Sequence, residues 1–386
     1  MADRYQMWLC SQIQEPSVIS ALLARFGSAE ELFRRRRELP RLSVVPEPLR
    51  AKLADAACDA ALERLEQERN RCQISFVWKE EPGFPKRLLP LADCPYGLFY
   101  QGALPDDARP ALAVVGARSC GHYGAEMARC FARELAVLGV SIVSGLAMGI
   151  DGIAHRAALD AEGKTYGVLG SGIGTPYPRE NWSLYYRMLD EGGGVLSEYP
   201  MGAPALKYHF PRRNRLISGL SDGVLVVEAR EKSGTLITVD HALAQGREVY
   251  VLPGRLTDVG SAGCNRLIQQ GARLVLSPEE IAEDILRTYS PSAAGAAAPP
   301  ERELLVTRET SGTPEPRANH KNEKNTLASD EKIVYACLRL DLKHFDAIVD
   351  ETGYRPSELA GILLSLETGG WISQPAPNYY AAVYQK

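Results

Sequence analysis

The chain has 386 residues, 45% of them apolar and 24% charged, with a formal net charge of −4. That length allows two or three domains with a substantial core, and the composition is that of an ordinary soluble globular protein, so any polyanion must be met by a local patch against an unfavourable global field. Apolar runs are broken within about ten residues and no charged segment leads into a long apolar one at the N-terminus, which excludes a membrane or secreted reading and favours the cytoplasm.

Eight cysteines, at 10, 58, 72, 94, 120, 130, 264 and 337, are scattered without a Cys-x-x-Cys pair. They read as buried thiols in a reducing compartment, with no metal cluster and no cofactor expected.

Residues 1–72 carry helical spacing. Val18-Ile19 with Leu22-Leu23, Leu32-Phe33, and Leu53 with Ala56-Ala57-Ala60-Ala61-Leu65 recur on helical faces, and Phe26-Gly27-Ser28-Ala29-Glu30-Glu31 supplies a glycine stop followed by a Ser-x-x-Glu capping box. A small helical domain is expected. The run Arg34-Arg35-Arg36-Arg37 reads as a solvated helix end.

From 73 to 289, short β-branched runs alternate with helical segments. Strands are predicted at 112–115, 140–143, 165–169, 194–197, 223–227, 248–252 and 273–276, with helical periodicity at 122–138, 151–161, 181–191, 214–221, 236–246 and 264–271. This alternation predicts an α/β domain, a doubly wound, Rossmann-like and mostly parallel sheet whose ligands sit beyond the carboxyl ends of its strands.

Those loops collect the unusual residues. Gly116-Ala117-Arg118-Ser119-Cys120-Gly121 lacks the Gly-x-Gly-x-x-Gly pattern and places an arginine where a dinucleotide needs close backbone contact. No P-loop motif occurs either. Ser144-Gly145-Leu146-Ala147-Met148-Gly149-Ile150-Asp151 packs glycines into a sharp turn and puts Asp151 at a plausible helix N-cap, with His155 one turn on. The two read either as an acid/base pair or as a cap and its neighbour. No nucleophile stands nearby, which favours the cap.

A glycine-built loop at 170–181 carries Arg179. Residues 207–215, Lys207-Tyr208-His209-Phe210-Pro211-Arg212-Arg213-Asn214-Arg215, hold four cations and two aromatics with no acid, ahead of a predicted helix. Ser233-Gly234-Thr235 opens another helix with amides and hydroxyls suited to phosphate. Cations neutralise a nucleic-acid backbone and aromatic faces stack on unpaired bases.

Residues 290–327 begin with Pro291-Ser292-Ala293-Ala294-Gly295-Ala296-Ala297-Ala298-Pro299-Pro300 and continue as a polar tract, which reads as a flexible linker. Residues 328–386 then give helices at 331–340, 345–351 and 356–366 and a hairpin over 369–384, a winged-helix outline. Its would-be recognition helix carries Glu358, Glu367 and no cation, so a protein-interaction or regulatory role is favoured over DNA contact.

The motifs Gly116-Ala117-Arg118, Ser144-Gly145-x-Ala147-x-Gly149-Ile150-Asp151-x-x-Ala154-His155, Tyr177-Pro178, Phe210-Pro211-x-Arg213-Asn214-Arg215, Glu228-Ala229 with Ser233-Gly234-Thr235-Leu236-Ile237-Thr238, and Gly246-Arg247-Glu248-Val249 with Pro253-Gly254 follow in order through 80–289. Together they resemble the DNA-processing protein A family (DprA, also called Smf). The resemblance implies a sterile-alpha-motif-like domain over 1–72 and a winged-helix-like domain at the C-terminus. It implies a non-enzymatic protein that binds single-stranded DNA, loads the RecA recombinase on it during natural transformation, and forms a homodimer through the Rossmann-like domain.

Carried over by motif, the DNA-binding residues are Arg118, Arg179, Lys207 and Phe210. Gly116, Gly145, Arg212, Arg213, Asn214, Arg215, Ser233, Gly234 and Thr235 complete the expected site. Arg179 stands where a lysine is common, which keeps the charge and changes the geometry of phosphate contact. The domain also resembles Rossmann-like nucleoside monophosphate phosphoribohydrolases. That enzyme reading lacks its catalytic glutamate, replaced here by Thr238.

Overall fold

A computed structural model of the chain describes residues 3–41, 47–54, 57–174, 177–289, 329–338 and 342–383. They fall into two compact units, divided at Tyr289. The expected linker over 290–327 lies outside the described residues, as do Thr175 and Pro176 of the Arg179 loop.

The first unit begins with five helices, α1 (Asp3–Gln12), α2 (Pro16–Phe26), α3 (Ala29–Arg34), α4 (Glu47–Ala54) and α5 (Ala57–Arg71). Ser28 caps α3 as its sequence requires, accepting the Glu31 amide at 3.1 Å. The arginine run departs from a purely solvated face. Arg36 is buried and donates to the Phe33 carbonyl and to Asp59, while Arg34 and Arg35 stay exposed and pair with glutamates of their own segment.

Nine strands then form one sheet: β1 (Ser75–Trp78), β2 (Gly97–Gly102), β3 (Ala111–Val115), β4 (Ser141–Ser144), β5 (Thr165–Val168), β6 (Gly194–Ser197), β7 (Gly223–Val226), β8 (Glu248–Val251) and β9 (Arg273–Leu274). Their spatial order is β1-β2-β6-β5-β4-β3-β7-β8-β9. All pairings from β6 through β9 are parallel, whereas β1 pairs with β2 and β2 with β6 in antiparallel fashion. The seven predicted strands are all present; β1 and β2 lie in a proline-punctuated stretch whose short apolar runs are separated by one 3-10 turn, Lys86–Leu88, and no α-helix.

Every residue of β3, Ala111-Leu112-Ala113-Val114-Val115, is buried, as expected of a strand covered on both faces. The cover comes from α6 (His122–Val137), α7 (Ile150–Asp160), α8 (Trp182–Asp190), α9 (His209–Gly219), α10 (Thr235–Ala244), α11 (Ala262–Gln269) and α12 (Pro278–Arg287). Met7, Trp8 and Leu9 of α1 are fully buried in the core that also holds Phe76, Phe99 and Val195, so the N-terminal helices close one flank of the sheet.

The chain winds outward from β3 through β4, β5 and β6, then returns past β3 to continue with β7, β8 and β9. That reversal leaves a crevice at the carboxyl ends of β3 and β7, where doubly wound sheets hold their ligands.

The second unit comprises α13 (Ser329–Leu338), α14 (Phe345–Thr352), α15 (Pro356–Thr368) and a three-stranded sheet of β10 (Lys343–His344), β11 (Ile372–Ala376) and β12 (Tyr379–Ala382), ordered β10-β12-β11. Val334, Leu338, Ile348, Leu359, Leu363, Leu366 and Ile372 make its core. This is the winged-helix arrangement its sequence predicts.

Candidate nucleic-acid interface

A cleft of about 810 Å³ opens at the β3/β7 crevice. The turn after β3 supplies Gly116 to Ser119, the loop before α9 supplies Lys207, α9 supplies Phe210, Arg213, Asn214 and Ile217, the turn after β7 supplies Arg230 and Lys232 to Gly234, and the start of α10 supplies Thr235, Ile237 and Thr238. Five cations line it, Arg118, Lys207, Arg213, Arg230 and Lys232, against one carboxylate, Asp151. A chain of net charge −4 thus concentrates positive charge where backbone amides and a helix start also point.

The sequence places the start of α9 too late. The helix begins at His209, not near 214, because Pro211 falls in its first turn, where a missing amide hydrogen costs nothing. The basic stretch is therefore helical, and a rotation of about 100° per residue sorts it. Phe210, Arg213, Asn214 and Ile217 share the face that lines the cleft. Arg212 and Arg215 point the other way.

Arg215 is one of the largest fully buried side chains, pairing with Asp93 at 2.6 Å and with the buried Glu198 at 2.8 Å. Arg212 reaches Glu15 at 2.6 Å and the Gln14 carbonyl, joining α9 to the segment between α1 and α2. Neither lines the cleft. Their charges are spent inside the fold, which corrects the expectation that all three arginines face a ligand.

Arg213 lines the cleft but is itself buried. Its guanidinium donates to the Gly145 carbonyl at 2.7 Å and to the Val168 carbonyl, and its Nε donates to Asn214 Oδ1 at 3.2 Å. Burial pushes it down to about 10, so it remains charged at neutral pH. Gly145 is a glycine for this reason: a Cβ there would lie 2.6 Å from the guanidinium. Gly116 is likewise filled from within, since its Cβ would lie 2.6 Å from Ile150. Both glycines are required by packing; Gly116 also lines the cleft, whereas Gly145 does not.

Asp151 is not the cap of α7; Gly149 holds that position, and the buried Asp151 carboxylate accepts the Gly145 amide at 3.1 Å. Burial raises its pKa, opposed by Arg213. His155 is fully buried with Nδ1 2.6 Å from Thr165 Oγ1, and burial pushes it down to about 3, with Arg156 and Arg213 acting the same way. The two side chains thus have separate partners, Gly145 and Thr165.

Glu228 accepts the Gly121 amide at 3.0 Å and its carbonyl takes the Ala117 amide at 2.8 Å, so it braces the turn that carries Arg118.

The remaining expected residues are free to act. Arg118 and Lys207 are exposed and, among the described residues, form no ion pair. The Arg118 guanidinium stands 5.3 Å from the Phe210 ring centre, and the Tyr177 ring lies 5.6 Å from Phe210 at a 45° tilt. Arg179 is exposed at the start of a short helical turn and does not line the cleft. Ser233 Oγ donates to Thr235 Oγ1 at 3.0 Å and accepts the Thr235 amide at 3.2 Å, with Gly234 exposed between them at the start of α10.

Sequence reasoning missed Tyr177, Arg230, Lys232 and Thr238 as cleft residues. Tyr177 stood in a quoted motif without a role. Arg230 and Lys232 were masked by the intervening Glu231, which turns outward and faces Arg266 at 3.6 Å.

Residues 75–286 match the family model of the DNA recombination-mediator protein A, and residues 317–376 match that of the DprA winged helix domain. The chain is 38% identical over 333 residues to protein Smf of Escherichia coli, covering 81% of each chain. It is 44% identical over 205 residues to the DNA processing protein DprA of Streptococcus pneumoniae, 51% of this chain and 70% of that one. The X-ray structure of DNA processing protein A from Streptococcus pneumoniae superposes with a TM-score of 0.62 at 34% identity, covering 73% of this chain and 98% of that one. That of Helicobacter pylori DNA processing protein A, which addresses its single-stranded DNA binding mode, gives 0.50 at 31% identity over 56% and 98%.

Proposed function

This chain belongs to the DNA recombination-mediator protein A family, and we propose that it binds single-stranded DNA in the β3/β7 cleft and hands the strand to the RecA recombinase during uptake of DNA by natural transformation. The observation that carries the reading is the combination at one wall of unpaired cations, Arg118 and Lys207, with the Phe210–Tyr177 ring pair. Cations track a phosphate backbone, and aromatic faces take unpaired bases, which duplex DNA does not present. Arg179, exposed outside the cleft, extends the track along the strand.

A homodimer through the Rossmann-like unit completes the proposal. The edge strand β9 is hydrogen-bonded on one side, to β8, and Leu274 within it and Leu276 just after it are 40% and 69% exposed. An apolar sheet edge of this kind is a pairing surface unless covered.

Binding to oligo-dT over a series of salt concentrations tests the site. Arg118→Ala and Lys207→Ala each weaken binding and flatten its salt dependence; wild-type affinity in Arg118→Ala sinks the proposal. Incubation with AMP tests the enzymatic alternative, and steady release of free base would overturn a purely binding role.

A further inference from the structure

The two walls of the cleft differ in kind. One wall holds Phe210 and Tyr177 with Arg118 and Lys207. The other, after β7, holds Arg230, Lys232, Ser233, Gly234, Thr235 and Thr238, with no aromatic ring among them. Arg230 and Lys232 are exposed, and at the start of α10 the Ser233 hydroxyl takes the Thr235 amide, while the N-cap residue, Gly234, has no side chain to take another. Nothing stands within 4 Å of where a Cβ on Gly234 would sit, although its φ of −61° would admit any residue.

Deeper in, Thr238 lines the cleft at 2% exposure, and its hydroxyl has no hydrogen-bond partner among the described residues. Thr238 lies one turn behind the α10 start, so its hydroxyl sits within the same first stretch of the helix that lines the cleft.

We infer that Arg230, Lys232 and the first turn of α10, backed by the Thr238 hydroxyl, form a phosphate subsite of their own, so that a bound nucleotide spans the cleft with its base on Phe210 and Tyr177 and its phosphate on α10. The inference rests on the single-stranded DNA reading and assigns a division of labour within it. Each component suits an anion and none suits a base: two cations, a helix N-terminus with its partial positive charge, and hydroxyls that donate to phosphate oxygens. Two sources of the same chemistry supply such a phosphate, a phosphodiester within the strand and a monoester at its 5′ end.

The test uses the full-length protein and fluorescence anisotropy with oligo-dT bearing a 5′-phosphate or a 5′-hydroxyl, alongside an abasic oligomer of equal length, over a range of salt concentrations. Arg230→Ala/Lys232→Ala lowers the salt slope by about 1.4, the value for two contacts on a single strand. It leaves the affinity ratio of oligo-dT to abasic oligomer unchanged, whereas Phe210→Ala collapses that ratio. Thr238→Val weakens binding several-fold at an unchanged melting temperature.

Loss of slope with both 5′ ends bound equally places a phosphodiester in the subsite. A 5′-phosphate preference that the double variant abolishes places the terminal monoester there. A wild-type slope with no such preference overturns the subsite. If Arg118→Ala still weakens binding in that case, the single-stranded DNA reading stands without it; if Arg118→Ala is also silent, both fall.

Discussion

The two faces of α9 carry the same chemistry to opposite ends. On one face Phe210 and Asn214 meet the cleft, with Lys207 just ahead of the helix; on the other Arg215 and Arg212 are drawn into carboxylates of the core and of the N-terminal helices. Arg213 belongs to both, since it lies on the cleft face yet spends its hydrogen bonds on the carbonyls that end β4 and β5. Adjacent arginines thus differ in role by rotation about one helix axis. The outer cations can exchange water for phosphate at little cost to folding, whereas the inner ones are structural ions whose loss leaves a buried carboxylate behind.

The largest effect that separates the faces is on stability. Arg215→Ala removes the closer of the two cations that pair with Glu198, itself 5% exposed, and leaves it only the longer contact to Arg212 at 3.6 Å. Breaking a buried pair from one side costs about 3–5 kcal/mol. Chemical denaturation should show a loss of that size in Arg215→Ala and less than about 0.5 kcal/mol in Arg118→Ala, whose side chain is exposed. Equal losses in the two variants would erase the distinction.

A pH series probes the inner side beneath the cleft. His155 is held at about 3 in the folded chain against an ordinary value of 6.5, so between these limits the unfolded chain binds the extra proton. Stability is therefore full above pH 6.5 and falls as pH drops through that window, by at most about 1.4 kcal/mol per pH unit. The raised carboxyl of Asp151 acts in the opposite sense, because its native form takes up a proton more readily than its unfolded form. The difference between wild type and His155→Gln isolates the histidine: the variant should show a shallower decline below pH 6.5, and parallel curves would remove His155 from the account.

On the outer face the expected effects are on binding alone. Phe210→Ala should weaken oligo-dT binding by about 1–3 kcal/mol with little change in salt slope, the signature of a lost stacking surface. Tyr177→Ala, which removes the neighbouring ring 5.6 Å away, should do the same to a lesser extent. A changed slope in Phe210→Ala would mean that this ring positions the Arg118 guanidinium lying over it instead of meeting a base.

Much of this was legible in the sequence because parallel strands and amphipathic helices announce themselves through unbroken β-branched runs and 3.6-residue periodicity. Val114-Val115 before Gly116 and Val226 before Glu228 located the crevice without coordinates. Which cations face it was not legible, since that depends on where α9 begins. Apolar periodicity begins only near Leu216, whereas Pro211 is already a first-turn residue of the helix. Moving the start back to His209 would have placed Arg212 and Arg215 opposite Phe210 by periodicity alone. Their partners, Glu15, Asp93 and Glu198, are distant in sequence, and no local pattern points to them. The β1–β2 hairpin was missed for a similar reason, as its burial comes from α1 and not from its own pattern.

The smallest expected effect lies in the second unit. Its described residues carry seven acidic side chains, among them Glu358 and Glu367 on α15, against three cations, Lys332, Lys343 and Arg355. Arg355 is engaged by Glu358 and Lys343 by Glu351, so little positive charge is left for a phosphate backbone. If α15 does not enter a DNA groove, Glu358→Gln/Glu367→Gln should leave affinity for both single-stranded and duplex DNA within about two-fold of wild type, since surface charges more than a Debye length of roughly 8 Å from the strand are screened at physiological salt. If the helix does approach DNA, removing two repulsive charges should strengthen duplex binding and steepen its salt dependence. Duplex affinity measured at two salt concentrations separates these outcomes, and a gain confined to duplex DNA would make the winged-helix unit a second nucleic-acid surface, in contrast to the cleft, where positive charge is concentrated.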